Sequence, residues 1–132
     1  MPTIRVPFAI TARPSADAGA SVDVPVVGPT TFDKVFSTEP LIGSSVVEMV
    51  SVLGAGGPLA YVAMERVEGS LDGESGAFAL RHVGSIVDGV AVLTLEVVEG
   101  SGTRDLAGLS GIGSIEHTGD GAFLTLTYSL PG

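Results

Sequence analysis

Two residues of this chain pair acid-base chemistry with positions that ought to be buried, Glu65 and His82. Alternation along 59–68 (LAYVAMERVE) puts Tyr61, Ala63, Glu65 and Val67 on one face and Val62, Met64, Arg66 and Glu68 on the other. Arg66 and Glu68 belong in water, so Glu65 points at the core. Along 74–84 (ESGAFALRHVG), Phe78, Leu80 and His82 share a face opposite Ala79, Arg81 and Val83, and an outward Arg81 turns His82 inward. The two segments are joined by a short turn at 69–73 and should pair, which makes the carboxylate and the imidazole candidates for proximity, although a bulge would shift the register by one.

Such a pair suits proton transfer, the carboxylate holding one imidazole tautomer while the other ring nitrogen meets a substrate. A carboxyl inside a core must be paired, hydrated or protonated, and a raised pKa would make Glu65 a general acid. The structural alternative is that His82 only satisfies a buried polar group. Tyr61 and Tyr128 are either donors to a substrate carbonyl or rim residues whose hydroxyls reach water.

Other chemistries find less support. The chain has no cysteine, which removes thiol nucleophiles, zinc fingers and iron–sulfur clusters. His82 and His117 with Glu48 or Glu116 lack any tight ligand spacing, so no metal is expected. Gly100-Ser101-Gly102-Thr103 lacks the lysine and the strand–loop–helix frame of a phosphate loop, and no Gly-x-Ser-x-Gly elbow is present. No cofactor is expected. With 6 basic against 15 acidic residues and a net charge of −9, the surface repels nucleic acid and anionic membranes alike. No apolar run reaches the length of a spanning helix, and the N-terminus lacks the pattern of a signal peptide, so the expectation is a soluble, cytoplasmic protein.

The elements that position these residues read as strands throughout. The chain's 132 residues suffice for one domain, 1–132. Period-2 alternation bounded by Gly and Pro predicts strands at 4–11, 31–37, 43–53, 59–68, 74–84, 90–98, 111–117 and 121–129. Gly-rich connections at 54–58, 71–73, 87–89 and 118–120 predict hairpins, and eight strands joined this way suggest an all-β, eight-stranded antiparallel up-and-down barrel, whose closure removes exposed edges. Two connections break the pattern. Residues 12–30 carry three prolines and would hold an extra strand at 21–27 or act as a lid loop over a barrel mouth. Residues 99–110 read as a Gly turn feeding one helical turn with Thr103 as N-cap.

The same face test yields an aliphatic interior. Leu124, Leu126 and Tyr128 share one face of the last strand, and Leu93, Leu95 and Val97 one face of 90–98. In 43–53 either Val46, Glu48 and Val50 or Val47, Met49 and Ser51 face inward, and the strand carrying Phe32, Lys34 and Phe36 is equally ambiguous. Candidate substrate contacts are then Tyr61, Tyr128, Phe36, Met49, Phe78, Leu80, Leu95 and Leu126, an apolar pocket with few polar groups.

Three stretches carry a resemblance: 65–73 (ERVEGSLDG), 76–84 (GAFALRHVG) and 97–111 (VVEGSGTRDLAGLSG), with Leu41-Ile42-Gly43 to Glu48 and Leu126-Thr127-Tyr128 fitting as well. Together, over about residues 31 to 130, they resemble a bacterial family of unknown function whose pattern reads ERV-G-L-G, GSF-L-H-G and V-PGSGTGELAGL-G, within the superfamily of allene oxide cyclase-like barrels. Glu99, Arg104 and Ala77 depart from it, standing where proline, glycine and serine are common. The front of the chain, Val24-Pro25-Val26-Val27-Gly28 with Phe32-Asp33 and Ile42-Gly43-Ser44-Ser45, is more distantly similar to spirotetronate cyclases, Diels-Alderases of polyketide pathways. These resemblances imply a cofactor-independent cyclase or isomerase that folds a hydrophobic, polyketide-like molecule, with intramolecular (4+2) ring closure as one form of the reaction. Glu65 and His82 would be its catalytic pair. A non-catalytic small-ligand barrel is the alternative. The partner expected is a hydrophobic small molecule; a homodimer is compatible with the sequence, which does not fix the oligomeric state.

Overall fold

The computed structural model describes residues 1–14 and 23–131. Among them, eight strands run in chain order: β1 Thr3–Ala12, β2 Val26–Thr38, β3 Leu41–Gly54, β4 Gly57–Leu71, β5 Glu74–Val87, β6 Val90–Val97, β7 Ser110–Thr118 and β8 Gly121–Ser129. Each pairs antiparallel with its sequence neighbour, and β8 returns to β1, so the sheet is a closed barrel in up-and-down order. Two hairpins rest on Asp-Gly pairs in which both central residues take positive φ: Asp72 (50°) with Gly73 (84°), and Asp88 (51°) with Gly89 (78°). That combination is the type I′ turn, whose twist matches the strands it joins.

Strands extend beyond their expected ends wherever the register continues, most of all β2, which begins at Val26 rather than 31. The expected separate strand at 21–27 is therefore replaced at its C-terminal end by the start of β2, and its residues 21–22 lie outside the described residues. The connection carrying the lid expectation shrinks from 12–30 to 13–25, since Ala12 ends β1 and 26–30 belong to β2; of it, residues 15–22 lie outside the described residues. Arg13 anchors its start on β2, donating from Nε and Nη2 to the two oxygens of Asp33 at 2.7 Å each.

One end of the barrel is packed. Phe36, Leu41, Leu71 and Phe78 fill it together with Leu106 and Leu109 from the 98–109 crossover, all at 2% exposure or less. Opposite Phe36, the cross-strand row continues as Gly43, Gly69 and Gly76, so one aromatic ring shares its level with three residues lacking side chains. The crossover uses that room. A Cβ at Gly76 would stand 2.1 Å from the carbonyl oxygen of Thr103. The helical turn expected here is a single 3-10 turn, Arg104–Leu106, and Thr103 does not cap it by its side chain; its Oγ1 instead accepts a hydrogen bond from the Ala77 N–H at 3.0 Å. Pairing with β5 wins over capping because Thr103 is already held against that strand by its own N–H, bonded to the Ala77 carbonyl.

The opposite end is apolar but loosely covered. Inward-facing Phe32, Met49, Tyr61, Leu93 and Ile115 are only half-buried there, and Ile10, Leu59 and Ile86 are exposed. Gly76→Ala should destabilise the fold by about 1–3 kcal/mol, the usual cost of overpacking, whereas Gly119→Ala, where a Cβ meets nothing within 4 Å, should be close to neutral; urea unfolding midpoints of the two variants check this.

Candidate functional site

Between the packed end and the open end lies a cluster of four polar side chains, Lys34, Ser45, Glu65 and His82, with exposures of 5%, 3%, 1% and 4%. They come from four successive strands. Lys34 on β2 stands opposite Ser45 on β3. Glu65 on β4 stands opposite Val47 and Leu80, and His82 on β5 opposite Ala63, so Ser45 to Glu65 and Glu65 to His82 are diagonal steps across the ladder. Diagonal neighbours about 7–8 Å apart are bridged by long side chains.

Glu65 is the hub. Its Oε1 accepts from Lys34 Nζ at 3.1 Å and from His82 Nε2 at 2.8 Å, and its Oε2 accepts from Ser45 Oγ at 2.5 Å. The Lys34 ammonium also sits 4.3 Å from the centre of the Phe8 ring, which offers a cation its negative face. Burial by itself would push the Glu65 carboxyl up, but the His82 hydrogen bond, the Lys34 charge and the Ser45 hydroxyl together outweigh it and hold the group below the ordinary glutamate range. Glu65 is therefore an anion: of the three alternatives for a buried carboxyl, paired, hydrated or protonated, the structure has the paired one, and the condition for a general-acid role, a raised pKa, is not met because His82, Lys34 and Ser45 reverse the shift.

An ionised carboxylate can only accept, so His82 Nε2 carries the proton of that hydrogen bond, and in the neutral ring Nδ1 then bears a lone pair. Nδ1 makes no hydrogen bond among the described residues. No fully enclosed side-chain nitrogen or oxygen among them lacks a partner. Nδ1 is consequently not fully enclosed. Carboxylate, oriented imidazole and open nitrogen form the arrangement by which a histidine serves as general base.

The other expected site residues divide between the two ends. Phe36, Phe78, Leu80, Leu95, Leu126 and Tyr128 are core residues at 4% exposure or less. Met49 and Tyr61 lie toward the open end and are half-buried. The Tyr61 ring lies across Gly84, its cross-strand partner, where a Cβ would stand 2.2 Å from the ring; burial raises its hydroxyl pKa. Beside it, Leu59, Ile86 and Leu93 line an apolar notch of about 140 Å³ at the rim. Sequence reading found Glu65 and His82 but not Lys34 and Ser45. The available signal was that Lys34, the chain's only lysine, shares its face with Phe32 and Phe36.

A closed eight-stranded barrel with a buried Lys–Glu–His–Ser cluster beneath an apolar mouth defines the class of this protein. The chain belongs to a family described as protein of unknown function (DUF3224), whose pattern matches residues 4–129. Coverage thus begins near the first strand rather than at about residue 31. It is similar to the crystal structure of a DUF3224 protein of unknown function from Shewanella oneidensis MR-1, at 32% identity and a TM-score of 0.86, covering 100% of this chain and 98% of the other. No curated protein matches the chain. Among the described residues, no helix is long and apolar enough to cross a membrane.

Glu65→Gln should destabilise the barrel by about 3–5 kcal/mol, since it leaves the Lys34 charge buried without its counter-charge. A carboxyl whose folded pKa is depressed contributes stability above its unfolded value and loses it as pH falls through the folded one. Equilibrium unfolding measured from pH 7 downward should show stability declining below about 4.5, the ordinary value, with a shallower slope in Glu65→Gln than in the natural chain.

Proposed function

We propose that this barrel binds an apolar small molecule in its open half and acts on it without a cofactor, as an isomerase or cyclase of polyketide-like carbonyl compounds. One observation carries the reading: His82, oriented by an ionised Glu65, has no partner for Nδ1 among the described residues, at the boundary between the packed and open halves. A purely structural histidine in a core normally has both nitrogens satisfied.

The chemistry follows from the tautomer. Nδ1 removes a proton from carbon next to a carbonyl, or from an enol hydroxyl; the imidazolium so formed is stabilised by the Glu65 carboxylate and returns the proton at a second position. Atoms balance within the substrate, so no co-reactant is needed. The half-buried Phe32, Met49, Leu93 and Ile115 offer an apolar wall that would fold a flexible chain, and proximity alone removes several kcal/mol of barrier in well-oriented intramolecular reactions. Tyr61, at the rim and protonated at neutral pH, is the candidate donor to the substrate carbonyl. The resemblance to barrels that perform ring closure favours cyclisation, including (4+2) closure, as the outcome of such folding.

The test is proton exchange. Apolar β-dicarbonyl compounds incubated with the protein in D2O should exchange their α-protons at an enzyme-dependent rate, read by NMR; His82→Ala should lower that rate at least tenfold and Tyr61→Phe less. Binding without exchange would favour the non-catalytic ligand barrel. A ring closure that persists in His82→Ala would indicate a cyclase working by shape alone. Because the chain has no tryptophan, Phe32→Trp provides a single fluorescent reporter of occupancy, and failure of any apolar carbonyl compound to alter it would remove both ligand readings.

A further inference from the structure

The strands that carry the cluster inward carry an uncovered apolar surface outward. On the outer face of β3, β4 and β5, Val50, Val62 and Val83 form one cross-strand row, and Met64 stands beside Val62 in the next; all four are between 46% and 54% exposed. Contiguous exposed aliphatic side chains in the middle of a sheet face mark an association surface. What covers this one is set by the second row, which reads Thr31, Glu48, Met64, Arg81, Glu96 from β2 to β6.

That row is complementary to itself reversed. A two-fold axis running along β4 in the plane of the contact lays the partner's β3 over β5. Glu48 then meets the partner's Arg81, and Arg81 meets the partner's Glu48. In the apolar row Val50 meets the partner's Val83, and Val62 meets its own counterpart. These pairs are charge-opposite or apolar, as an isologous interface requires, and Arg66 and Glu68, next along β4, lie on the same axis, where each Arg66 reaches a Glu68 of either chain. Within one chain Glu48 and Arg81 are kept apart by the intervening β4, with Glu48 accepting from Thr31 Oγ1 at 3.0 Å and Arg81 donating from Nε to Glu96 at 3.0 Å. β3 and β5 flank β4 directly, so Glu48 and Arg81 are the charged side chains of this row nearest the contact on either side.

We propose that this face is the interface of a two-fold symmetric homodimer, with Val62 and Met64 at its centre and reciprocal Glu48–Arg81 pairs on either side. The proposal is independent of what occupies the barrel. Its structural consequence is that β4 and β5 are held from both sides: Met64 adjoins Glu65 and Arg81 adjoins His82, so the contact fixes the strands on which the inner cluster depends.

Sedimentation equilibrium at micromolar protein should return twice the 13.2 kDa chain mass, and Val62→Glu, which brings like charges together on the axis, should return the single mass. The decisive arm uses charge reversal. Glu48→Arg alone places Arg against Arg, and Arg81→Glu alone places Glu against Glu, so each variant should be monomeric; an equimolar mixture restores opposite charges at both positions and should form a heterodimer. The mixture also guards against misfolding, because two misfolded chains would not recover association. A monomeric natural chain overturns the proposal. So does a dimer that survives Val62→Glu, or a mixture of the two charge variants that remains monomeric.

Discussion

The constraint on which this molecule turns is the burial of one ammonium and one carboxylate inside an aliphatic barrel. Lys34 and Glu65 are enclosed almost completely, and neither charge could remain in a medium of low dielectric alone. Their 3.1 Å contact makes them a neutral unit. Ser45 and His82 then satisfy what the ion pair leaves over, one on each carboxylate oxygen. Four strands are tied at one level by these bonds, and a slip of any of them by one residue would turn its polar member outward and strand the others. The pairing therefore specifies the register of β2 through β5 as strictly as the aliphatic residues do.

Around this unit the barrel is asymmetric along its axis. Toward one end, the crossover after β6 inserts Leu106 and Leu109 and closes the core over a floor of small residues. Toward the other, apolar side chains of the same inward faces are left partly uncovered. An eight-stranded barrel has an interior just wide enough to be filled by side chains or to admit one small ligand. In this one the half beneath the crossover is filled by side chains, and the polar cluster lies between it and the less covered half.

Much of this fold is written locally in the sequence. Alternation identified eight strands, and Asp-Gly pairs their tight turns, because period and turn chemistry are local properties of the chain. Glu65 and His82 were found by exclusion, each having an arginine neighbour that had to face water. What escaped was whatever needed partners from elsewhere in the fold. The phenylalanines on its face point Lys34 inward, but what makes its burial tolerable, Glu65 two strands away, is not local, and the sign of the Glu65 shift depends on the same fact. Thr103 has the residue type of a helix cap, but tertiary pairing with Ala77 took its hydroxyl. The strand face carrying Met49 was undecidable alone and was settled by Val47 and Ser45, which share it and are buried.

Stability alone gives no reason for such a cluster. Replacing a buried ion pair by apolar residues of similar volume is often neutral or stabilising by about 1–4 kcal/mol, so Lys34 and Glu65 contribute specificity of register at best. That account covers Lys34, Glu65 and Ser45, whose bonds close on one another. Of His82 it covers Nε2 alone. The second hydrogen bond at Oε1 is already available from Lys34, and a leucine at position 82 would match Leu80 and Phe78 on the same face while leaving no ring nitrogen without a partner. Nδ1 is bonded to nothing among the described residues and is not fully enclosed, so it carries no penalty of an enclosed orphan. His82 thus ties β5 into the cluster through Nε2, while its Nδ1 takes no part in the register.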